Sequence, residues 1–249
     1  VDLALQAASL LPAASLLPFD ASAHGPAIDH HLLLNLWIIL ALAVLAHLIL
    51  FIGLIARRRP EAKNWLIEYL PLAALALLFI FLSVRAERLW AAARYTGAEP
   101  TALQVQVVGE QFAWYFRYPG TDYTFGITRP QLVDAGAGNP LGIDPADPHG
   151  ADDVVASELV LPANRQVDLR IDSLDVIHGF SVPEMRLKQD AIPGMTIHVH
   201  FTPKVPGTYA ILCTQVCGLG HYRMNANLRV LPPSEFATWL AARQRAVQP

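Results

Sequence analysis

The chain has 249 residues, 53% of them hydrophobic and only 16% charged, with a mean hydropathy of +0.35. An ordinary soluble domain carries about 25% charged residues, so this composition fits a membrane anchor joined to one water-soluble domain. The net charge of −3 and a pI near 6.3 argue against a nucleic-acid binder. The apolar content excludes disorder, and two cysteines four residues apart exclude a disulfide scaffold.

Residues 1–31 read as an outer N-terminal segment. Leu10, Leu11, Leu16 and Leu17 lie there among Ala, Ser and Pro. With no basic n-region and no initiating Met, no complete signal peptide is read, and whether residue 1 is a processed N-terminus stays open. Asp29-His30-His31 is placed at the outer water boundary.

Leu32 to Ala56 contains no Asp, Glu, Lys or Arg. It exceeds the roughly 20 apolar residues that cross a bilayer core. Asn35 and His47 are its strongly polar members. A second apolar run, Leu66 to Val84, is broken only by Glu68. Between the runs, Arg57, Arg58, Arg59 and Lys63 place residues 57–64 on the cytoplasmic side. Residues 32–85 are therefore expected to form a transmembrane hairpin with both ends outside.

From residue 86 charges, Gly and Pro return, and residues 86–233 read as a β domain. The expected strands are Leu103 to Val108, Ala113 to Tyr118, Glu158 to Leu161, Val167 to Ile171, Thr196 to Phe201, Tyr209 to Leu212 and Asn227 to Leu231. Turn formers such as Pro119-Gly120 and Pro206-Gly207 separate them, as in a sandwich or barrel. Residues 234–249 read as a terminal helix and tail, with Ser234 as N-cap and Phe236, Trp239 and Leu240 apolar. Residues 130–164 hold Asp134, Asp144, Asp147, Asp152, Asp153 and Glu158 but no Lys, and no Arg. That stretch is either a solvated insertion or an acidic docking face for a basic partner.

The segment Cys213 to Met224 places two Cys, His221 and Met224 within twelve residues, just after a strand. Thiolate and thioether are soft ligands and imidazole suits copper, so the set points to copper rather than Mg, Ca or Mn. His178, in Asp175-Val176-Ile177-His178, lies on a loop that could reach the same end of a sandwich. The alternatives are a disulfide, a single-copper site needing only one Cys, and zinc, for which Met is a poor ligand. His198 and His200, alternating with Ile197, Val199 and Phe201, read as surface or packing residues, and His149 as solvated. Met185 and Met195 lack ligand partners at fixed spacing.

The pattern C-x3-C-x3-H-x2-M with an upstream D-V-x-H resembles subunit II of haem-copper cytochrome c oxidases, the subunit with the binuclear copper A centre. The resemblance covers about residues 20 to 245. It implies a membrane-anchored α + β chain, a two-helix transmembrane hairpin followed by a cupredoxin-like β-sandwich or barrel. It further implies that Cys213 and Cys217 bridge two coppers, that His178 and Met224 complete one, and that His221 and the Gln215 carbonyl complete the other. The chain would hold no haem, since no C-x-x-C-H occurs. The family's Glu between the cysteines, which also binds Mg at the subunit I interface, is Gln215 here, and a neutral amide is a weaker ligand for a hard cation.

The implied function is one-electron relay. Cytochrome c or a cytochrome c-like donor, including one held in a supercomplex, would dock on Asp144, Asp147, Asp152, Asp153 and Asp175. Where the family has its electron-entry Trp, this chain has Phe112, so entry falls to Phe112, Trp114 or Tyr115. Haem in subunit I would receive the electrons, with oxygen reduction and proton pumping there. This makes the chain an oxidoreductase subunit of a bacterial-type inner membrane, its N-terminus and copper domain periplasmic. Lys188 and Asp190, in Leu187-Lys188-Gln189-Asp190-Ala191-Ile192-Pro193-Gly194, would face subunit I. Glu68 is the candidate proton entry, although the family's spacing from Pro71 falls on Asn64. The rivals are a quinol-oxidase form, which has lost the copper ligands, a membrane-tethered copper carrier, and nitrous oxide reductase, which lacks this hairpin.

Overall fold

A computed structural model describes residues 17–56 and 65–247. Leu10, Leu11, Leu16, the basic residues Arg57, Arg58, Arg59 and Lys63, and Asn64 lie outside the described residues. The chain divides into two compact units, residues 26–96 and residues 97–247 joined by the segment that ends at Gly25.

The first unit is two helices, α1 (Gly25–Ala56) and α2 (Trp65–Arg94). Both are long and apolar enough to cross a membrane, and no residue in the apolar window of either is buried. At 1.5 Å per residue α1 is about 48 Å long, so both helices outrun their apolar cores. A soluble protein would bury Leu54, Phe79 or Ile67, which are here 79%, 71% and 72% exposed. Lipid is the solvent that suits such a surface.

The second unit is a sandwich of two five-stranded sheets. The strands are β1 (Leu103–Glu110), β2 (Ala113–Tyr118), β3 (Val154–Ala156), β4 (Leu159–Pro162), β5 (Val167–Ser173), β6 (His178–Val182), β7 (Leu187–Ala191), β8 (Ile197–Phe201), β9 (Gly207–Cys213) and β10 (Asn225–Leu231). One sheet runs β3-β2-β1-β5-β8 and the other β4-β10-β9-β6-β7. The pairs β1–β5 and β10–β4 are parallel, and the other pairs are antiparallel. Val105, Val107, Phe116, Leu169 and Ile171 of one sheet share a buried cluster with Phe180, Val182, Ile211 and Leu228 of the other. Each such side chain contributes about 1.5–3 kcal/mol on leaving water. The Tyr118 hydroxyl ties β2 to β4, donating to the Val160 carbonyl at 3.0 Å and accepting from its N–H at 2.7 Å.

Several expectations are corrected. The terminal helix α3 (Pro233–Val247) starts at Pro233, so Ser234 lies inside the first turn and is not the N-cap. Proline is favoured there because its missing N–H would have no partner in the first turn. Strands β3, β6 and β7 were not anticipated. His178 is the first residue of β6 rather than a loop residue, and Leu187–Ala191 forms an edge strand. The segment before α1 is tied to the sandwich: Ala21 N–H donates to Glu184 O, Ala23 N–H to Thr202 O, and Lys204 N–H to Ala21 O.

Candidate metal centre

β9 delivers Cys213 to one end of the sandwich, and the chain then curls into a compact loop. His221 N–H donates to Gly218 O, Arg223 N–H to Gly220 O, and Met224 N–H to His221 O. Cys213 N–H donates to Met224 O and closes the loop at the entry to β10. Five donor groups converge as a result. The two Sγ atoms are 3.9 Å apart, and the Gln215 carbonyl oxygen lies 3.2 Å from Cys213 Sγ. His221 Nδ1 and Met224 Sδ lie 3.6 and 3.7 Å from Cys217 Sγ. A disulfide has an S–S bond of about 2.05 Å, and both cysteines are free.

The sixth group comes from the neighbouring strand β6. His178 is fully buried, and the ligand atoms of His178, Cys213 and Cys217 lie within 4.8 Å of one another. Its Nε2 is 2.8 Å from Asp175 Oδ1. Beside an ionised carboxylate, Nε2 carries the proton and Nδ1 keeps its lone pair. Nδ1 is buried and has no hydrogen-bond partner. A buried acceptor left unmade costs about 1–3 kcal/mol, and a cation between the imidazole and the two sulfurs would satisfy it. Burial pushes the Cys217 thiol up to about 11, with the adjacent Cys213 sulfur adding to the shift. A positive charge beside Cys217 would favour its thiolate against that shift.

Sequence reasoning gave Asp175 a docking role and missed Gly109 and Gln111, and all three hold these groups in place. A Cβ on Gly109 would stand 2.9 Å from the His178 ring, so β1 must pass that imidazole without a side chain. Asp175 accepts from His178 Nε2, from Val176 N–H at 2.7 Å and from Gln111 N–H at 2.8 Å. Burial raises its pKa, but the hydrogen bonds from His178, Val176 and Gln111 outweigh burial and hold the carboxyl below its ordinary value. Gln111 Nε2 donates to the Cys217 carbonyl at 2.5 Å.

The three aromatic candidates separate. Phe112 is partly buried, its ring against Gly218 and Gly220 of the cysteine loop. Trp114 is 2% exposed and meets the His178 and Phe180 rings edge-on at 5.8 and 5.3 Å, so a docking protein cannot touch it. Tyr115, one residue on along β2, is partly buried and bonds Glu110 instead.

The acidic candidates are largely committed within the chain. Asp153 is buried and ion-paired with Arg117, which corrects its expected place on a docking face. The guanidinium also donates to Gly126 O and packs over Phe125, an arrangement that needs its countercharge inside. Asp144 pairs with Arg129 at 2.6 Å, Asp147 accepts from Ile127 N–H, and Asp152 accepts from Thr121. These three stay partly exposed, whereas Asp175 is exposed but engaged as described. Lys188 and Asp190 form an exposed pair on β7 at 2.9 Å. Glu68 lies in the first turn of α2, and the Gln215 side chain is exposed. His149 bonds Asp122 and His198 bonds Asp168 on the outer face, Met185 is buried in the core, and Met195 is exposed.

The family model described as "Cytochrome C oxidase subunit II, periplasmic domain" matches residues 103–230, just over half of the chain. A curated relative, "Alternative cytochrome c oxidase subunit 2" of Bradyrhizobium diazoefficiens, is 39% identical over 141 residues, 56% of this chain and 50% of that protein. "Cytochrome c oxidase subunit 2" of a Synechocystis species is 32% identical over 144 residues, 58% of this chain and 34% of that protein. The chain thus spans half or less of the length of these relatives. The crystal structure of the periplasmic domain of subunit II of cytochrome oxidase from Bradyrhizobium japonicum aligns with a TM-score of 0.45 and 24% identity. That alignment covers 61% of this chain and 99% of the other.

Proposed function

The chain belongs to the cytochrome c oxidase subunit II family, and from that premise we propose that it is the electron-transfer subunit of a respiratory terminal oxidase. In this reading it accepts electrons from cytochrome c or a cytochrome c-like donor at a binuclear copper A centre. It passes them to haem in subunit I, where oxygen is reduced and protons are pumped. The proposed setting is a bacterial-type inner membrane, with the sandwich on the periplasmic side.

The observation that carries this reading is the convergence of two thiols, a thioether, two imidazoles and one carbonyl oxygen at one end of the sandwich. The Nδ1 of His178 is buried and unpaired, and a ring nitrogen of His178 lies within 4.8 Å of both sulfurs. The donors are soft or borderline, as copper prefers. Cys213 and Cys217 would bridge, His178 and Met224 would complete one metal, and His221 with the Gln215 carbonyl the other. When bound, such a centre takes up and releases a single electron shared over two metals.

The chain's own residues do the rest. Asp175 holds the His178 tautomer, and the hydrogen bonds of the loop around His221 hold its five donors together at one end of the sandwich. Phe112 is the proposed electron entry. Asp144, Asp147 and Asp152 supply the negative field for the donor. Lys188 and Asp190 are proposed to face subunit I, and Glu68 to receive protons. Gln215 gives no carboxylate for Mg at that interface.

The test is the Cys217→Ser variant of the full-length chain. Loss of the second copper and of the mixed-valence signal supports the assignment, and an unchanged binuclear signal overturns it.

A further inference from the structure

We propose that Gln111 is the positioning residue that fixes the entry ring Phe112 against the metal centre. The inference rests on the reading of this site as a binuclear copper centre entered through Phe112.

Three chain segments far apart in sequence meet here: the turn between β1 and β2, the 174–177 turn before β6, and the cysteine loop. Gln111 is joined to both of the others. Its N–H donates to Asp175 Oδ2 at 2.8 Å, and Asp175 Oδ1 holds His178 Nε2 at 2.8 Å. Its side-chain amide donates to the Cys217 carbonyl at 2.5 Å. One residue therefore ties the histidine half of the centre to the cysteine half, through its backbone on one side and its side chain on the other.

Phe112 follows directly in the chain. A Cβ added at Gly218 would stand 2.8 Å from Gln111 Nε2 and 3.2 Å from Phe112 carbons, so amide and ring both lie on the same glycine. At Gly220 an added Cβ would come within 3.0 Å of three Phe112 ring atoms. The ring has no polar atom of its own to hold it there. Its place depends on the residue beside it, and the amide of Gln111 anchors that residue to the surface on which the ring rests. Without the amide donor, the Cys217 carbonyl loses this partner, the β1–β2 turn loses this tie to the cysteine loop while keeping the one to Asp175, and the ring can leave the glycines.

The experiment uses Gln111→Glu and Gln111→Leu in the full-length chain purified with its oxidase partners. Glu keeps the shape but has no N–H to give at neutral pH, and Leu removes the N–H without adding a charge, so slowing shared by both variants reports the lost donor. Both variants are expected to keep full copper content and to accept electrons from the external donor about ten-fold more slowly, the weight of one neutral hydrogen bond. Electron transfer onward from the loaded centre should slow less than entry does, because every proposed metal-binding side chain is unchanged in both variants. Adding Gln111→Glu to Phe112→Ala should slow entry no further, because Gln111 acts through that ring. In the metal-free chain, hydrogen exchange at the His221 and Arg223 amides should rise about ten-fold in both variants.

Additive slowing in the double variant, or unchanged exchange at both amides, overturns the role of Gln111. A wild-type chain without a binuclear copper signal overturns the reading of the site instead. The exchange result then still decides whether Gln111 clamps the loop.

Discussion

Replacing Asp153 by Ala tests whether the acidic insertion works from inside the fold or at its surface. The Asp153 carboxylate accepts from Arg117 Nε at 2.8 Å, from Arg117 Nη2, and from Gly126 N–H at 3.0 Å. Both side chains are almost wholly buried, at 2% and 0% exposure. Removing one partner of a buried pair costs about 3–5 kcal/mol, because the other charge is left without compensation. Two features place this case at the low end. Burial holds the Asp153 carboxyl above its ordinary value even beside Arg117, so the pair is not fully favourable to begin with. Arg117 also keeps the Gly126 carbonyl at 2.7 Å, Gln106 Oε1 at 3.3 Å and the Phe125 ring. A loss of about 3 kcal/mol lowers Tm by roughly 6–12 °C for a domain of this size. Thermal unfolding of the full-length chain in detergent, followed by circular dichroism of the β signal, reads it. The ionic-strength dependence of electron donation should stay as in wild type, because the carboxyl never meets a partner. Arg117→Met with Asp153→Leu should recover most of the lost stability. A Tm within about 2 °C of wild type for Asp153→Ala, where the mechanism requires several degrees, would refute the reasoning.

Further outcomes follow from other contacts. Gly220→Ala should destabilise by about 1–3 kcal/mol by overpacking against Phe112, and the cost should largely vanish in a Phe112→Ala background; additive Tm shifts would contradict the contact. Tyr118→Phe leaves the Val160 N–H and carbonyl without their hydroxyl partner, costing about 2 kcal/mol, which a urea midpoint would show. His24 is held below its ordinary value of 6.5 by burial, against the pull of Asp20, with His200 and Arg186 lowering it further. The unfolded state therefore binds the proton more readily, and the tie before α1 is at full strength above pH 6.5 and weakens as pH falls from there towards the folded value. Exchange at the Ala21 and Ala23 amides, corrected for intrinsic rates, should rise on acidification in wild type but not in His24→Gln; parallel behaviour would rule His24 out.

What could be read from the sequence was whatever repeats locally. Ile197–Phe201 alternates strictly because one face meets the core and the other does not. In β6 all five residues are buried, and β7 is a polar edge, so neither shows a period. The donor cluster was legible because five of its six groups lie within twelve residues. Its supports were not: Gln111 reaches Cys217 across 106 positions and Asp175 across 64. The acids of the insertion looked free because Arg117 and Arg129, which neutralise Asp153 and Asp144, precede the stretch in which they were counted.

Electron paramagnetic resonance on the copper-loaded full-length chain, paired with copper analysis, tests the proposed centre most directly. The account predicts two coppers per chain and the hyperfine pattern of one electron shared by two equivalent nuclei. A single-copper spectrum, or no signal with Cys213 and Cys217 joined in a disulfide, would contradict it.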